Sequence, residues 1–236
     1  MNSISDRSVD REPTTPRETE EAREEALEEA SKQHLQRWPA FLALLLIVVA
    51  YSEISKQLAP YLRFAIHVIV TVGFLLIAVA IMRGRHLLVR PIVLIMIGVI
   101  TLAEVVSTLH LVSILPRGAI GPTGLLRDAA LIWVINVVTF ALWYWEIDGG
   151  GPLIRKANPH EPEDFLFPQQ ARGQSEKEWS PRFIDYLFLA FNQSTAFSPT
   201  DTAVLSRRAK VLVMIQAAIS LIVAAVLIAR AINTLR

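Results

Sequence analysis

The chain of 236 residues contains no cysteine, and only 19% of its residues are charged. Without cysteine, disulfides, thiolate nucleophiles and metal sites built on sulfur are excluded. The scarcity of charge accompanies 53% hydrophobic residues and a mean hydropathy of +0.41, which is too apolar for a water-soluble protein of this length. The composition therefore places the chain in a lipid bilayer.

Aromatic residues are missing from residues 1–37, which are rich in Glu, Arg, Ser, Thr and Pro. A segment of this composition cannot bury enough apolar surface to fold alone. We therefore predict a solvated amino-terminal tail over 1–37, largely disordered or helical.

Five apolar runs follow the tail. Each is near or above the roughly 18 to 20 residues that cross a hydrocarbon core, although the first is at the short end. Each must be helical, because a lone strand in lipid leaves its backbone groups without hydrogen bonds. The sequence thus predicts an all-α, polytopic transmembrane bundle in a domain of residues 38–236, with spans at about 38–54, 64–82, 91–115, 129–147 and 209–232.

The segment between the last two runs is of a different kind. GGGP at 149–152 opens a polar loop predicted over 148–180. A short helix is predicted from 181 to about 194; at about 20 Å it is too short to cross a bilayer, so it is either re-entrant or interfacial. A turn to residue 202 follows, and Ser206 is predicted to cap the last span.

The stretch FNQSTAFSPTDT, residues 191–202, concentrates hydroxyl groups beside a carboxylate. If it dips into the membrane, its polar side chains face a pathway; otherwise it is an interfacial turn. The stretch contains no glycine, which argues against a filter built from a cage of backbone carbonyls. Candidate pathway residues are Thr195, Phe197, Ser198, Thr200 and Asp201.

The run DYLFLAFNQSTAFSPTDTAVLSRRAKVLVMIQAAISLI resembles the pore region of tetrameric cation channels, in which a short aromatic helix and a hydroxyl-rich turn precede a long helix. Together with WYWEIDGGGP, DFLFPQ, SRRAK and ARAIN, it makes the carboxyl-terminal two-fifths of the chain similar to a family of uncharacterised bacterial polytopic integral membrane proteins. The resemblance implies a bacterial inner (cell) membrane, an ion or small-solute pathway and assembly as a homo-oligomer.

Polar residues also interrupt the predicted spans. Glu104 lies near the middle of the third, where a carboxylate is costly and usually faces protein or water, and Thr108 shares its helical face. The set is completed by His67, His110, Asn136 and Gln216. These residues either line a proton or ion relay or form interhelical hydrogen bonds worth about 0.6 kcal/mol each.

No spacing of these residues matches a metal motif, and no nucleophile motif or phosphate-binding glycine loop is present. We therefore expect no enzyme, no metal and no cofactor. The expected function is conduction of an ion or small solute; the alternative is a non-transporting membrane scaffold or sensor. The expected partners are the lipid bilayer, the solute and further copies of the chain, without nucleic acid.

Basic residues predict the topology. If the short helix does not cross, 13 Lys and Arg lie on the side of the amino terminus and 6 on the other side. This count leaves out Arg7, Arg11, Arg17 and Arg23 of the tail. The positive-inside rule then places the amino terminus in the cytoplasm. A reporter fused after Arg90 or at Gln174 should be cytoplasmic, and one fused after Arg236 periplasmic. Labelling of the Gln174 fusion by a periplasmic reagent would reverse this topology.

Overall fold

The structure is a computed structural model that describes residues 38–54, 61–85, 88–115, 121–157, 163–171, 179–195 and 201–234. The predicted tail over 1–37 lies outside these residues. In the described part the architecture is α-helical, with one two-stranded sheet.

Four helices are long and apolar enough to cross a membrane, and a shorter apolar helix precedes them. These helices confirm the predicted all-α class. Of the five predicted spans, four correspond to the long helices, and the first, at about 38–54, corresponds to the shorter helix. The shorter helix is α1 (Trp38–Glu53). The long helices are α2 (Leu62–Met82), α3 (Val89–Ile114), α4 (Pro122–Ile147) and α8 (Arg207–Thr234).

Consecutive helices pack antiparallel. Ser52 Oγ of α1 lies 2.8 Å from His67 Nε2 of α2, and the rings of Phe41 and Phe74 lie 5.5 Å apart. Because the contacts pair late residues of α1 with early residues of α2, the two helices run in opposite directions.

The next two interfaces continue this pattern. Gly73 of α2 leaves room for Met96 of α3, since a Cβ at Gly73 would lie 2.1 Å from the Met96 sulfur. Trp143 Nε1 of α4 donates to Thr101 Oγ1 of α3 at 2.8 Å. The helices therefore alternate in direction from α1 to α4.

One end of the bundle, here called the loop end, gathers the end of α4 and the starts of α3 and α8. Arg90 reaches the Glu146 carbonyl oxygen at 3.4 Å, and Arg208 reaches the Ile147 carbonyl oxygen at 3.3 Å. The short elements between α4 and α8 are α5 (Pro152–Ala157), β1 (Phe165–Leu166), α6 (Pro168–Ala171), α7 (Phe183–Thr195) and β2 (Ala203–Val204). β1 and β2 pair antiparallel.

Capping residues set the starts of α7 and α8. The Asp185 carboxylate reaches back to accept the Arg182 N–H at 2.7 Å, so α7 begins at Phe183, two residues later than the predicted Pro181. Ser206 Oγ accepts the Ala209 N–H at 3.1 Å, which confirms Ser206 as the cap of α8.

Three glycines turn the chain at the end of α4. Gly149, Gly150 and Gly151 have φ values of 52°, 77° and 94°, a region that residues with side chains rarely adopt. At Gly151, ψ is 171°, and an added Cβ would lie 3.1 Å from the Glu146 carbonyl oxygen. The turn therefore depends on glycine for both conformation and space.

We expect Gly151→Ala to lower the free energy of unfolding by about 1 to 3 kcal/mol, because its backbone region is essentially restricted to glycine. Gly98→Ala is the matched control, since Gly98 is helical and the nearest atom to an added Cβ is 3.9 Å away. Thermal unfolding of both variants in detergent tests this; equal stabilities would contradict the role of Gly151.

Candidate functional site

The short helix α7 lies lengthwise against α4. Near its start, the Phe183 ring lies 5.7 Å from Trp145; near its end, the Phe191 ring lies 5.6 Å from Trp133. The contacts move from the end of α4 towards its middle as α7 proceeds, so the two helices are antiparallel. Over these eight residues α7 advances about 12 Å into the bundle.

The helix α8 descends beside α7 in the same direction. It begins at the loop end with Arg207. Nine residues later, the Gln216 side chain donates to the Ala190 carbonyl oxygen and to Ser194 Oγ, both at 2.7 Å. Because early residues of α8 lie at the loop end and Gln216 lies beside the last turns of α7, α7 and α8 are parallel.

The chain returns to the loop end between these two helices. Leu166 of β1 pairs with Ala203 of β2, and the Leu205 N–H donates to the Asp164 carbonyl oxygen at 2.9 Å. The passage from Thr195, inside the bundle, to Ala203 includes residues 196–200, which lie outside the described residues. We call residues 183–206 the hairpin; its described parts, 183–195 and 201–206, start and finish at the same end of the bundle.

A buried carboxylate fixes the start of the hairpin. Asp148 is 1% exposed. Its Oδ1 accepts the backbone N–H groups of Asp164 and Phe165 at 2.7 and 3.2 Å, and its Oδ2 accepts the Tyr186 hydroxyl at 2.5 Å. Asp148 therefore joins the end of α4, the strand β1 and the helix α7.

Two arginines complete this loop-end network. Arg155 donates to the Asp148 carbonyl oxygen at 2.6 Å, lies 3.7 Å from the Asp148 carboxylate and stacks over the Tyr186 ring at 5.3 Å. Arg208 binds the buried Asp164 carboxylate through two nitrogens, each at 2.7 Å. Bidentate pairing of this kind is among the stronger ionic contacts, and it holds the start of α8 beside β1.

Tyr186 acts as a hydrogen-bond donor in this network. Burial raises the pKa of its phenol well above the usual value, the Arg155 guanidinium opposes the rise, and the Asp148 carboxylate adds to it. The phenol therefore stays neutral at physiological pH and keeps its proton available to Asp148.

A second network, centred on Gln216, ties the hairpin to both long helices at depth. Besides its two bonds to α7, Gln216 accepts a hydrogen bond from the Tyr144 hydroxyl through Oε1. Asn136 Nδ2 donates to the Gln216 carbonyl oxygen at 3.2 Å and to Ser220 Oγ at 2.7 Å. The members of this Gln216 network, all buried, are Asn136, Tyr144, Ala190, Ser194, Gln216 and Ser220.

Two acceptor atoms beside this network have no hydrogen-bond partner among the described residues. They are Asn136 Oδ1 and Thr139 Oγ1, both on α4 and both buried. Residues three apart share a helical face, so the two atoms give α4 a polar spot close to Ser220.

The structure divides the intramembrane candidates into separate groups. Asn136 and Gln216 belong to one network, whereas Glu104 and Thr108 lie on α3, where Glu104 faces Tyr51 of α1. His67 contacts Ser52 of α1, and His110 is half-buried further along α3. The role of each residue in a pathway stays a prediction.

The candidates of the turn are described only at its two ends. The Thr195 hydroxyl donates to the Asn192 carbonyl oxygen at 3.1 Å, and Asp201 is exposed. Phe197, Ser198 and Thr200 lie outside the described residues, so their predicted contact with a pathway is untested.

Sequence reasoning missed the loop-end network and, within the Gln216 network, the residues to which Asn136 and Gln216 bond. Tyr144 stands near the end of an apolar run, a position typical of interfacial aromatic residues, yet it is fully buried and bonded to Gln216. Asp148 is not among the predicted site residues, because an acidic residue beside glycines is usually solvated. The signal available was its position at the end of an apolar helix and before three glycines.

No protein-family model, curated protein or solved structure in the comparisons matches the chain. The sequence and the structure therefore show a helical integral membrane protein with four candidate spans.

The Gln216 network should carry measurable stability. Gln216→Leu removes three side-chain hydrogen bonds and should lower the free energy of unfolding by about 2 kcal/mol. Tyr144→Phe removes one hydrogen bond and should lower it by about 0.6 kcal/mol. In the Gln216→Leu background, Tyr144→Phe should cost almost nothing, because its acceptor is already gone.

Reversible unfolding of the two single variants and the double variant in micelles measures these costs. Ser113→Ala is the control, since the Ser113 hydroxyl is exposed and bonds only within α3. Additive costs of Gln216→Leu and Tyr144→Phe would contradict a direct bond between the two side chains.

Proposed function

We propose that the chain forms a membrane pathway for an ion or small solute, and that α4, the hairpin and α8 are its pore-forming unit. The observation that carries this proposal is the course of the hairpin. The helix α7 descends along α4 to the level of Trp133, and the chain is back at the loop end by Ala203. A segment that enters and leaves a bundle at one end brings polar groups to mid-bundle depth without crossing.

The order of these elements supports a resemblance to pore-loop channels. A long helix is followed by a short helix that enters from the same end, then by a returning segment and a second long helix. The described residues of one chain contain one such hairpin. A pathway between hairpins therefore needs further copies of the chain, which we propose assemble as a homo-oligomer.

The chemistry of the hairpin favours coordination by side chains. Residues 191–202 contain no glycine but contain five hydroxyl-bearing residues and Asp201. Non-helical backbone and polar side chains at membrane depth are tolerated where they face protein or a water-filled cavity. A ring of acidic side chains at a pore mouth selects for cations, so we propose a cation as the favoured solute.

The basic residues support an orientation in which the hairpin opens to the cytoplasm. The loop end belongs to the side with 13 of the counted basic residues, and cytoplasmic loops carry the excess of Lys and Arg. The membrane proposed is the bacterial inner membrane, on the strength of the resemblance alone.

The rival proposal, a non-transporting scaffold or sensor, rests on the folded surface of the loop end. The sheet of β1 and β2 together with the Asp164–Arg208 ion pair builds an ordered surface there. A scaffold needs this surface, but it needs no solute access to the hairpin.

Cysteine substitution distinguishes these proposals, because the native chain has no cysteine. Cysteines at Thr195, Ser198 and Thr200 should react with a small charged thiol reagent, and the reaction should reduce cation flux into liposomes. Phe197→Ala should increase flux if its ring forms the constriction.

Ser180→Cys is the matched control, because Ser180 is exposed at the loop end outside the hairpin. It should react with the reagent without a change in flux. Reaction at all three hairpin positions with no effect on flux, together with unchanged flux in Phe197→Ala, would refute the pathway.

A further inference from the structure

A second polar cluster lies between α1 and α3, outside the proposed pore-forming unit. It consists of Tyr51 on α1 and of Glu104, Ser107 and Thr108 on α3, and each residue is at most 2% exposed. The Tyr51 hydroxyl lies close enough to Glu104 and to Ser107 to interact electrostatically with both. We call these four residues the Glu104 cluster.

Most polar atoms of the cluster have no hydrogen-bond partner within the described residues. This holds for both Glu104 carboxyl oxygens, for the Tyr51 hydroxyl and for Thr108 Oγ1. The Ser107 hydroxyl donates to the Ala103 carbonyl oxygen in its own helix at 2.8 Å. A buried carboxylate without donors or a counter-charge is strongly disfavoured, so something has to neutralise Glu104.

No basic side chain of the described residues makes a hydrogen bond to Glu104, because neither of its carboxyl oxygens has a partner there. On α3 itself, His110 lies six residues after Glu104. The titratable group that α1 presents to Glu104 is Tyr51. On α2, His67 contacts Ser52, the residue after Tyr51. Residues 129–145 of α4 and 211–229 of α8 contain no Asp, Glu, Lys, Arg or His. Neutralisation by a side chain from these stretches is therefore excluded.

Because no basic side chain of the described residues bonds to Glu104, a small cation is the remaining candidate for neutralising it. The cluster contains a single carboxyl group, and the described residues contain no group of three or more His, Asp or Glu that could hold a metal ion. One carboxyl group balances one positive charge, and a proton needs no further ligands.

We propose that Glu104 is a reversible proton-binding site between α1 and α3, distinct from the hairpin and its pathway. In the bound state Glu104 is a neutral carboxylic acid. Release gives the carboxylate and one proton, which passes to water. The site goes beyond the proposed conduction, because none of its four residues belongs to α4, the hairpin or α8.

Dicyclohexylcarbodiimide tests the site on the intact wild-type protein in liposomes. This hydrophobic reagent modifies protonated carboxyl groups in apolar surroundings, and mass spectrometry locates the adduct. We expect labelling of Glu104 at neutral pH that decreases at least tenfold as the pH is raised. Glu53, which is exposed at the end of α1, is the internal control and should stay unlabelled.

Infrared difference spectroscopy between neutral and alkaline pH gives a second measurement that does not depend on access of the reagent. We expect a carboxylic acid C=O band that is lost at alkaline pH, absent in Glu104→Gln and retained in Glu53→Gln. If Glu104→Gln does not fold, the pH-dependent adduct on wild-type Glu104 supports the proposal by itself.

Two results would overturn the proposal. One is the absence of both the Glu104 adduct and the C=O band at every pH. The other is protection of Glu104 from the reagent by sodium chloride but not by choline chloride at the same ionic strength, which would assign the site to sodium.

Discussion

The arrangement of the loop end depends on the buried carboxylate of Asp148. Taking a carboxylate out of water costs several kcal/mol unless hydrogen bonds and opposite charge compensate. Asp148 receives two backbone N–H groups, the Tyr186 hydroxyl and the nearby Arg155 guanidinium. Since these donors come from β1, α7 and α5, satisfying one carboxylate fixes three elements against the end of α4. The position of the hairpin therefore follows from the requirement to compensate a single buried charge.

Inside the bundle, Gln216 has the corresponding role without a formal charge. Lipid offers no hydrogen bonds, so the polar groups of α4, α7 and α8 have to satisfy one another. The Gln216 amide bonds to Tyr144 of α4 and to Ala190 and Ser194 of α7. Asp148 and Gln216 act at different depths, and two separated attachments prevent α7 from tilting away from α4. A helix of this length, which cannot cross the bilayer, is thereby held along the bundle.

The sequence predicted the features that depend on local composition. Long apolar runs predicted five spans, of which four correspond to the long apolar helices and the first to the shorter helix α1. The helix α4 begins at Pro122, seven residues before its apolar run, because Arg127 and the buried Asp128 belong to the helix. Gln216 and Asn136 were predicted as candidate residues because they are polar residues within apolar runs. Their partners could not be predicted, because Tyr144 and Ser194 are 72 and 22 residues from Gln216 along the chain. The length of α7 could be predicted from the sequence. Its direction could not, because that direction is set by contacts with Trp133, Trp145 and Asp148.

The direction of α7 has an electrostatic consequence. The peptide dipoles of a helix sum to a partial negative charge at its carboxyl end, equivalent to about half an elementary charge. The amino end of α7 lies at the loop end, beside Trp145, and its carboxyl end lies within the bundle, beside Trp133. The backbone of α7 therefore directs partial negative charge towards the interior, where the low dielectric of the surroundings strengthens its effect. A cation at the end of α7 is favoured over an anion by the backbone itself, whatever side chains stand there.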